Sequence, residues 1–149
     1  MLFLTHVLFG ALVGVVFSSW FGGLGFFLMV LLGSILPDID SSGSKMNRWS
    51  GIIGEIVSFF SKHRGFFHSL WFVALSVILV KIFVGVTYAW GLFLGMVSHL
   101  VMDGMTRQGV HLVYPLSRFR INGFMKTGGM GEIVVQATVI ALMVWKVVG

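Results

Sequence analysis

The sequence predicts an all-α integral membrane protein with about five transmembrane helices and a short interfacial helix. Three observations carry this prediction. Hydrophobic residues make up 57% of the 149 positions, the mean hydropathy is +0.99, and only 10% of the residues are charged, against roughly 25% in a soluble domain. The length fits one domain over residues 1–149. The absence of cysteine excludes disulfides and thiolate metal sites.

The first two spans come from one long apolar run. Residues 2–36 contain no Asp, Glu, Lys or Arg, which is too long for a single span of about 20 residues. Small residues and Trp20 at positions 18–23 favour a break there, which gives spans at about residues 2–18 and 22–36.

In the following loop, apolar residues recur at helical spacing and predict a short helix lying in the interface. These residues are Trp49, Ile52, Ile53, Ile56, Phe59 and Phe60.

Three further spans are predicted at residues 66–83, 88–105 and 130–148. This topology puts the N-terminus and the loops 37–65 and 106–129 on the same side of the membrane. Those loops contain eight of the ten basic residues: Lys45, Arg48, Lys62, Arg64, Arg107, Arg118, Arg120 and Lys126. By the positive-inside rule, that side is cytoplasmic.

Histidines and carboxylates are predicted to gather at this cytoplasmic face. Several carboxylates crowded together repel one another unless a cation lies between them. Imidazole with carboxylate is the ligand set of zinc, manganese or ferrous iron. We therefore expect one or two divalent ions at the cytoplasmic face, with zinc as the first expectation and manganese or iron as alternatives. The expected ligands are His6, Asp38, Asp40, His68, His99 and Asp103.

The local spacings add detail to this expectation. His99 and Asp103 stand at i and i+4, so they share one helix face. Pro37 ends the second span, and the two carboxylates after it can bind different ions, or one can bind an ion while the other supports a ligand. His63 lies five residues before His68 and would not share its face in a regular helix, so it is expected to support a ligand or contact substrate. Ser69 is expected to be a helix-start hydroxyl that supports His68.

The order of these motifs resembles the membrane-bound metal-dependent hydrolases, a family also described as LexA-binding, inner-membrane-associated hydrolases. The resemblance covers nearly the whole chain and implies a small prokaryotic inner-membrane protein with metal-dependent hydrolase activity. The motifs are Thr5-His6, Pro37-Asp38-Ile39-Asp40, His63-Arg64-Gly65-x-x-His68-Ser69, Ser98-His99-x-x-x-Asp103, Gly109-Val110 and Tyr114-Pro115.

As an enzyme, the protein is expected to use metal-activated water against an ester or phosphoester. A site at the membrane interface suits a phospholipid or another lipid-like substrate. Glu132 is the expected general base, with His63 and Arg64 as further catalytic candidates, since a guanidinium can bind phosphate through two donors. The expected substrate-binding residues, which would attract anionic head groups, are Arg107, Arg118 and Arg120.

The alternative is a non-enzymatic metal-binding membrane protein, either an ion carrier or a regulatory anchor. The predicted polar residues stop at one face, which argues against a carrier. Nucleic-acid binding is not expected, because the basic loops lack aromatic interleaving and a DNA-binding motif. The oligomeric state stays open, since the glycine pairs at 10 and 14 and at 91 and 95 can pack helices within one chain or between chains.

Overall fold

The fold comes from a computed structural model that describes residues 1–60, 64–117 and 119–148, with only the backbone of Phe60. The described residues form an all-helical protein without a β-strand, as predicted. Two short 3₁₀ helices, Leu36–Asp40 and Phe66–His68, accompany the α-helices. The α-helices are α1 (Phe3–Phe21), α2 (Gly23–Ile35), α3 (Lys45–Trp49), α4 (Ile52–Phe60), α5 (Leu70–Phe83), α6 (Val86–Gly104) and α7 (Met130–Val148).

Helices occupy all five regions in which spans were predicted. Three of these segments are long and apolar enough to cross a membrane: α1, α7, and α2 together with the 3₁₀ helix that follows it. Helix α5 is apolar but has 14 residues. It begins at Leu70 rather than Phe66, because the hydroxyl of Ser69 accepts a hydrogen bond from the backbone N–H of Phe72 and caps the helix. This agrees with the expected helix-start role of Ser69.

Helix α6 lies at the centre of the bundle and packs against α1, α2 and α5. This position explains why its sequence is less apolar than that of its neighbours: its polar side chains face other helices instead of lipid. Leu92, Met96 and Leu100 of α6 form the hydrophobic core with Val73 of α5 and Val110 of the following loop. The core therefore supports the same helix that carries His99 and Asp103.

The glycine pairs bring helices together within this one chain. A Cβ atom on Gly95 would collide with the carbonyl oxygen of Val30, so α2 and α6 touch through their backbones. A Cβ on Gly10 would lie 2.5 Å from the Cβ of Ser34, which shows a similar approach of α1 to α2. Small residues allow helices in a bilayer to pack this closely.

The predicted interfacial helix is two short helices, α3 and α4, with a break at Gly51. The backbone of Gly51 has φ of 55°, a left-handed conformation that favours glycine. Apolar side chains on this segment remain exposed, including Trp49 at 67% and Phe59 at 83%. A large exposed apolar surface of this kind is typical of a segment that contacts lipid.

Candidate metal centre

The candidate centre is built around two buried histidines from different helical segments. His68 ends the 3₁₀ helix that precedes α5, and His99 lies in the last turns of α6. Both side chains are fully buried, and their Nε2 atoms are 3.2 Å apart. The fold thus brings together two imidazoles that are 31 residues apart in the chain.

Each of the two rings has a hydrogen-bond acceptor close to its Nδ1 atom. His99 Nδ1 is 2.7 Å from the carbonyl oxygen of Ser34, which can only accept a hydrogen bond. His68 Nδ1 is 3.3 Å from Oδ2 of Asp40, which is also an acceptor. The contact with Ser34 places a proton on Nδ1 of His99, so Nε2 of His99 presents a lone pair. The Nε2 atom of His68, 3.2 Å away, must therefore either donate a proton to this lone pair or share a metal cation with it.

Two carboxylates surround the pair of Nε2 atoms. Asp38 Oδ1 lies 3.8 Å from both of these nitrogens. Asp103 Oδ2 lies 3.5 Å from Nε2 of His68 and 3.7 Å from Nε2 of His99. Zinc bonds of about 2.0–2.2 Å in a tetrahedron would separate the donors by about 3.3–3.6 Å. The separations found here, 3.2–3.8 Å, lie within about 0.2 Å of that range, so the residues present fit a divalent ion in donor type and nearly in spacing.

His6 adds a third imidazole next to this group. Its ring stacks on the ring of His99, with centroids 3.8 Å apart and 13° between the planes. Its Nε2 atom lies 3.4 Å from Oδ1 of Asp103. Within the described part of the chain, neither ring nitrogen of this buried side chain makes a hydrogen bond. One donor atom each from His6, Asp38 and His99 also lies within 4.8 Å of the others, so His6 can complete the first donor set or contribute to a second.

Arg64 and Asp40 hold the donors in place. The guanidinium of Arg64 donates to Oδ1 of Asp103 at 2.9 Å, to the carbonyl of Gly109 at 2.8 Å and to the hydroxyl of Thr106 at 3.2 Å. Its backbone N–H donates to Oδ2 of Asp40, the oxygen that faces His68. The residue has φ of 60°, which is strained for a side chain other than glycine and indicates that these contacts define the local backbone.

Asp103 is oriented by the cations on one of its two oxygens. Besides Arg64, the amino group of Met1 approaches Oδ1 at 2.6 Å. Because both cations bind Oδ1, the other oxygen is directed toward the two Nε2 atoms. This arrangement suits a carboxylate that would bind an ion through one oxygen.

Glu132, the expected general base, is held by hydrogen bonds to other parts of the chain. Its buried carboxylate accepts hydrogen bonds from the backbone N–H groups of Leu2 and Gly128, each at 2.6 Å, and from the hydroxyl of Thr5 at 2.5 Å. Gln136 in turn donates to the same hydroxyl. Glu132 therefore joins the start of α7 to the start of α1, the helix that carries His6.

The remaining predicted site residues lie away from these contacts or outside the described residues. Arg107 is exposed and donates to the carbonyl of Phe124, and Arg120 is also exposed. His63 and Arg118 belong to the parts of the chain that the structure does not describe. Sequence reasoning did not single out Ser34, whose carbonyl orients His99; a serine inside an apolar span was the only available signal.

The fold and the buried cluster define a helical membrane protein with imidazoles and carboxylates gathered at the ends of several helices. The chain belongs to the YdjM inner membrane protein family, whose model matches residues 1–148. The family name supports the membrane class and states no reaction.

The chain is also similar to two named proteins. The chain is 34% identical over 143 residues to "Uncharacterized protein YvsG" of Bacillus subtilis (strain 168), which covers 89% of this chain and 86% of that protein. It is 30% identical over 125 residues to "Inner membrane protein YdjM" of Escherichia coli (strain K12), which covers 78% of this chain and 62% of that protein. No solved structure matches the chain.

Proposed function

We propose that this protein is a membrane-embedded metal-dependent hydrolase that acts on an ester or phosphoester of a lipid. The observation that carries the proposal is the pair of buried Nε2 atoms, 3.2 Å apart, with two carboxylates beside them. A proton on the Nε2 atom of His68 would satisfy this contact, but the two added negative charges favour a divalent cation. Zinc suits the donor set best, and manganese or ferrous iron are the alternatives.

Each donor has an assigned role in this proposal. His68, His99, Asp38 and Asp103 would hold the ion, and such an ion supplies Lewis acidity toward an ester or phosphoester when bound. The carbonyl of Ser34 accepts from Nδ1 of His99 and so keeps its Nε2 unprotonated. The carboxylate of Asp40, 3.3 Å from Nδ1 of His68, favours the same tautomer in that ring. Arg64 orients Asp103 by binding its other oxygen.

Access to the site is through Asp38. The side chains of His68 and His99 are 0% exposed and that of Asp103 is 1% exposed, whereas that of Asp38 is 16% exposed. A substrate group would therefore reach the donors past Asp38. The burial of the other three donors excludes bulk water from most of the site, which strengthens its electrostatic interactions.

The proposed orientation places this opening at the cytoplasmic face of a five-span protein. Helices α1, α2, α5, α6 and α7 would be the spans, with α5 and α6 held between the longer apolar helices. The basic loops on the same side as the cluster support the orientation by the positive-inside rule. A site at that depth suits the head group of a lipid.

The test is a metal and activity assay on purified protein. Metal content is measured after dialysis for the wild type, for His99→Ala and for Glu55→Gln, an exposed carboxylate variant that serves as the control. The same samples are screened for hydrolysis of phospholipids and lipid phosphates before chelation, after chelation and after zinc is restored. We expect the wild type and the control to retain one or two ions per chain and His99→Ala to retain none. Hydrolysis should be lost on chelation and should return when zinc is restored.

Two results would overturn the proposal in different ways. If the wild type retains no stoichiometric metal, or hydrolyses lipid esters equally well after chelation, the metal-dependent mechanism is wrong. If the metal is retained and lost as expected but no ester in the screen is cleaved by any sample, the non-enzymatic metal-binding alternative is supported instead.

A further inference from the structure

A polar cavity lies directly outside the buried cluster. Its volume is about 340 Å³, within the range of about 300–1,000 Å³ that is common for small-molecule sites. Asp38, the most exposed of the four proposed donors, forms part of its wall, and so does Arg64. The cavity is therefore the space from which a ligand would approach the cluster.

Basic groups from α3 form another part of the cavity wall. Lys45 and Arg48 both line it, one helical turn apart at i and i+3. The ammonium group of Lys45 lies 4.7 Å from the ring centroid of Phe3, which also lines the cavity, so a cation–π contact holds this charge at the wall. The charge of Lys45 is thus held beside the opening, with Arg48 on the same wall.

The charges of the wall differ in whether they are already neutralised. Arg64 and the amino group of Met1 are paired with Asp103. In the described ranges of the chain, by contrast, neither Lys45 nor Arg48 forms an ion pair. The cavity therefore presents two uncompensated positive charges toward a ligand, while Asp38 faces the cluster side with its Oδ1 atom near both Nε2 atoms.

We propose that this cavity is a binding site for the phosphate group of an anionic ligand, with Lys45 and Arg48 as its recognition residues. The proposal rests on the proposed function for its link to hydrolysis, because it places a phosphate beside Asp38. Arginine contributes a planar set of donors and lysine a compact charge, a combination suited to phosphate oxygens. The phosphate can belong to a lipid head group or to a soluble molecule.

The first experiment measures binding in the absence of turnover. Chelator-treated protein in phosphatidylcholine nanodiscs is titrated with a fluorescent phosphatidic acid analogue and, in a separate arm, with radiolabelled inorganic phosphate. The test variant is Lys45→Gln/Arg48→Gln. The matched control is Lys81→Gln/Lys146→Gln, which removes two positive charges at the far ends of α5 and α7.

The expected result is a loss of affinity confined to the cavity variant. We expect affinity for the lipid analogue to fall about 25-fold, which corresponds to about fivefold for each basic residue, while the control changes less than twofold. Lys45→Gln alone should show about a fivefold loss; this single variant matters because Arg48 also lines a second cavity of about 490 Å³. A loss in the lipid arm alone shows that the cavity recognises a lipid head group, and an equal loss in both arms shows that it recognises the phosphate group whatever molecule carries it.

Other outcomes overturn the inference. Equal losses in the test and control variants would show that general positive charge attracts the lipid and that the cavity does not. Unchanged affinity in a variant with the melting temperature of the wild type would also refute it. Because both residues are exposed, folding is expected to be unaffected.

Metal content, measured on the same samples, separates this inference from the proposed function. The cavity variant should retain the wild-type amount of metal, since neither residue contacts the donors. If wild-type protein holds no metal but the binding difference persists, the hydrolase proposal fails and the phosphate site stands. If metal and hydrolysis are present but KM and lipid affinity do not change in the cavity variant, only the phosphate site fails.

Discussion

Replacing Asp40 with asparagine separates two roles that this carboxylate can have. As a metal ligand, Asp40 would be needed for stoichiometric binding, as His99 is. In the structure, however, its Oδ2 atom faces Nδ1 of His68, 3.3 Å away, on the side of the ring opposite the proposed ion. We therefore expect Asp40→Asn to weaken metal binding without abolishing it.

The magnitude follows from what the asparagine can do at this position. A carboxylate can only accept from Nδ1 and so keeps Nε2 unprotonated. An amide can also present its NH₂ group, which would stabilise the wrong tautomer of His68 and protonate Nε2. Loss of such an outer partner typically lowers metal affinity 10- to 100-fold, which is about 1.4–2.7 kcal/mol. Removal of His99 itself should leave no measurable stoichiometric site.

Zinc titration against a competing chelating dye measures these differences. Wild-type protein, Asp40→Asn, His99→Ala and the control Glu55→Gln are compared in the same detergent, with melting temperatures recorded to detect unfolding. If Asp40→Asn loses metal as completely as His99→Ala while remaining folded, Asp40 is a direct ligand and the orienting role is wrong. An affinity equal to that of the wild type would show that the contact with His68 does not control its tautomer.

Three further changes test the packing and the supporting contacts. Gly95→Val should lower the free energy of unfolding by about 1–3 kcal/mol or more, because the valine side chain has no space between α6 and α2. The control Gly43→Val places the same side chain in open space and should show no such fall in melting temperature. Glu132→Gln should lower the free energy of unfolding by about 1–3 kcal/mol, because the amide accepts hydrogen bonds at one oxygen where the carboxylate used two. We expect a reduced melting temperature with full metal content. Unchanged stability with lost hydrolysis would instead favour the general-base role. Arg64→Lys should lower the free energy of unfolding by about 1–3 kcal/mol and also weaken metal binding, because a lysine cannot make all the contacts that orient Asp103. A melting temperature and a zinc affinity equal to those of the wild type would contradict the orienting role of Arg64.

Several features were predictable because they depend on positions along the chain. Apolar run lengths located all five helical regions, and the i, i+4 spacing placed His99 and Asp103 on one face, where the structure has Nε2 and Oδ2 3.7 Å apart. The start of α5 was predicted four residues too early. Apolar periodicity continues through Phe66 and Phe67, and it does not reveal that the hydroxyl of Ser69 caps a new helix.

Other features depend on contacts between segments and could not be derived from spacing. The glycine pairs allowed packing within or between chains, and the contacts of Gly10 and Gly95 with α2 show that they pack helices of the same chain. Glu132 was expected to be the general base, and spacing could not reveal that its carboxylate accepts hydrogen bonds from Leu2 and Thr5 at the start of α1. Lys45 and Arg48 were counted for orientation, and their place at a cavity beside Asp38 was not predicted.

The sequence by itself determined the membrane class, the approximate helices and the set of imidazoles and carboxylates that gather at their ends. These follow from hydrophobicity and from a helix rise of 1.5 Å per residue, which relates chain position to position along a helix axis. Only the tertiary structure decided which donors face one another, which acceptors lie beside the ring nitrogens of His68 and His99, and which charged groups support the cluster instead of joining it. Those properties depend on helix rotation and on the neighbours that close packing brings within hydrogen-bonding distance.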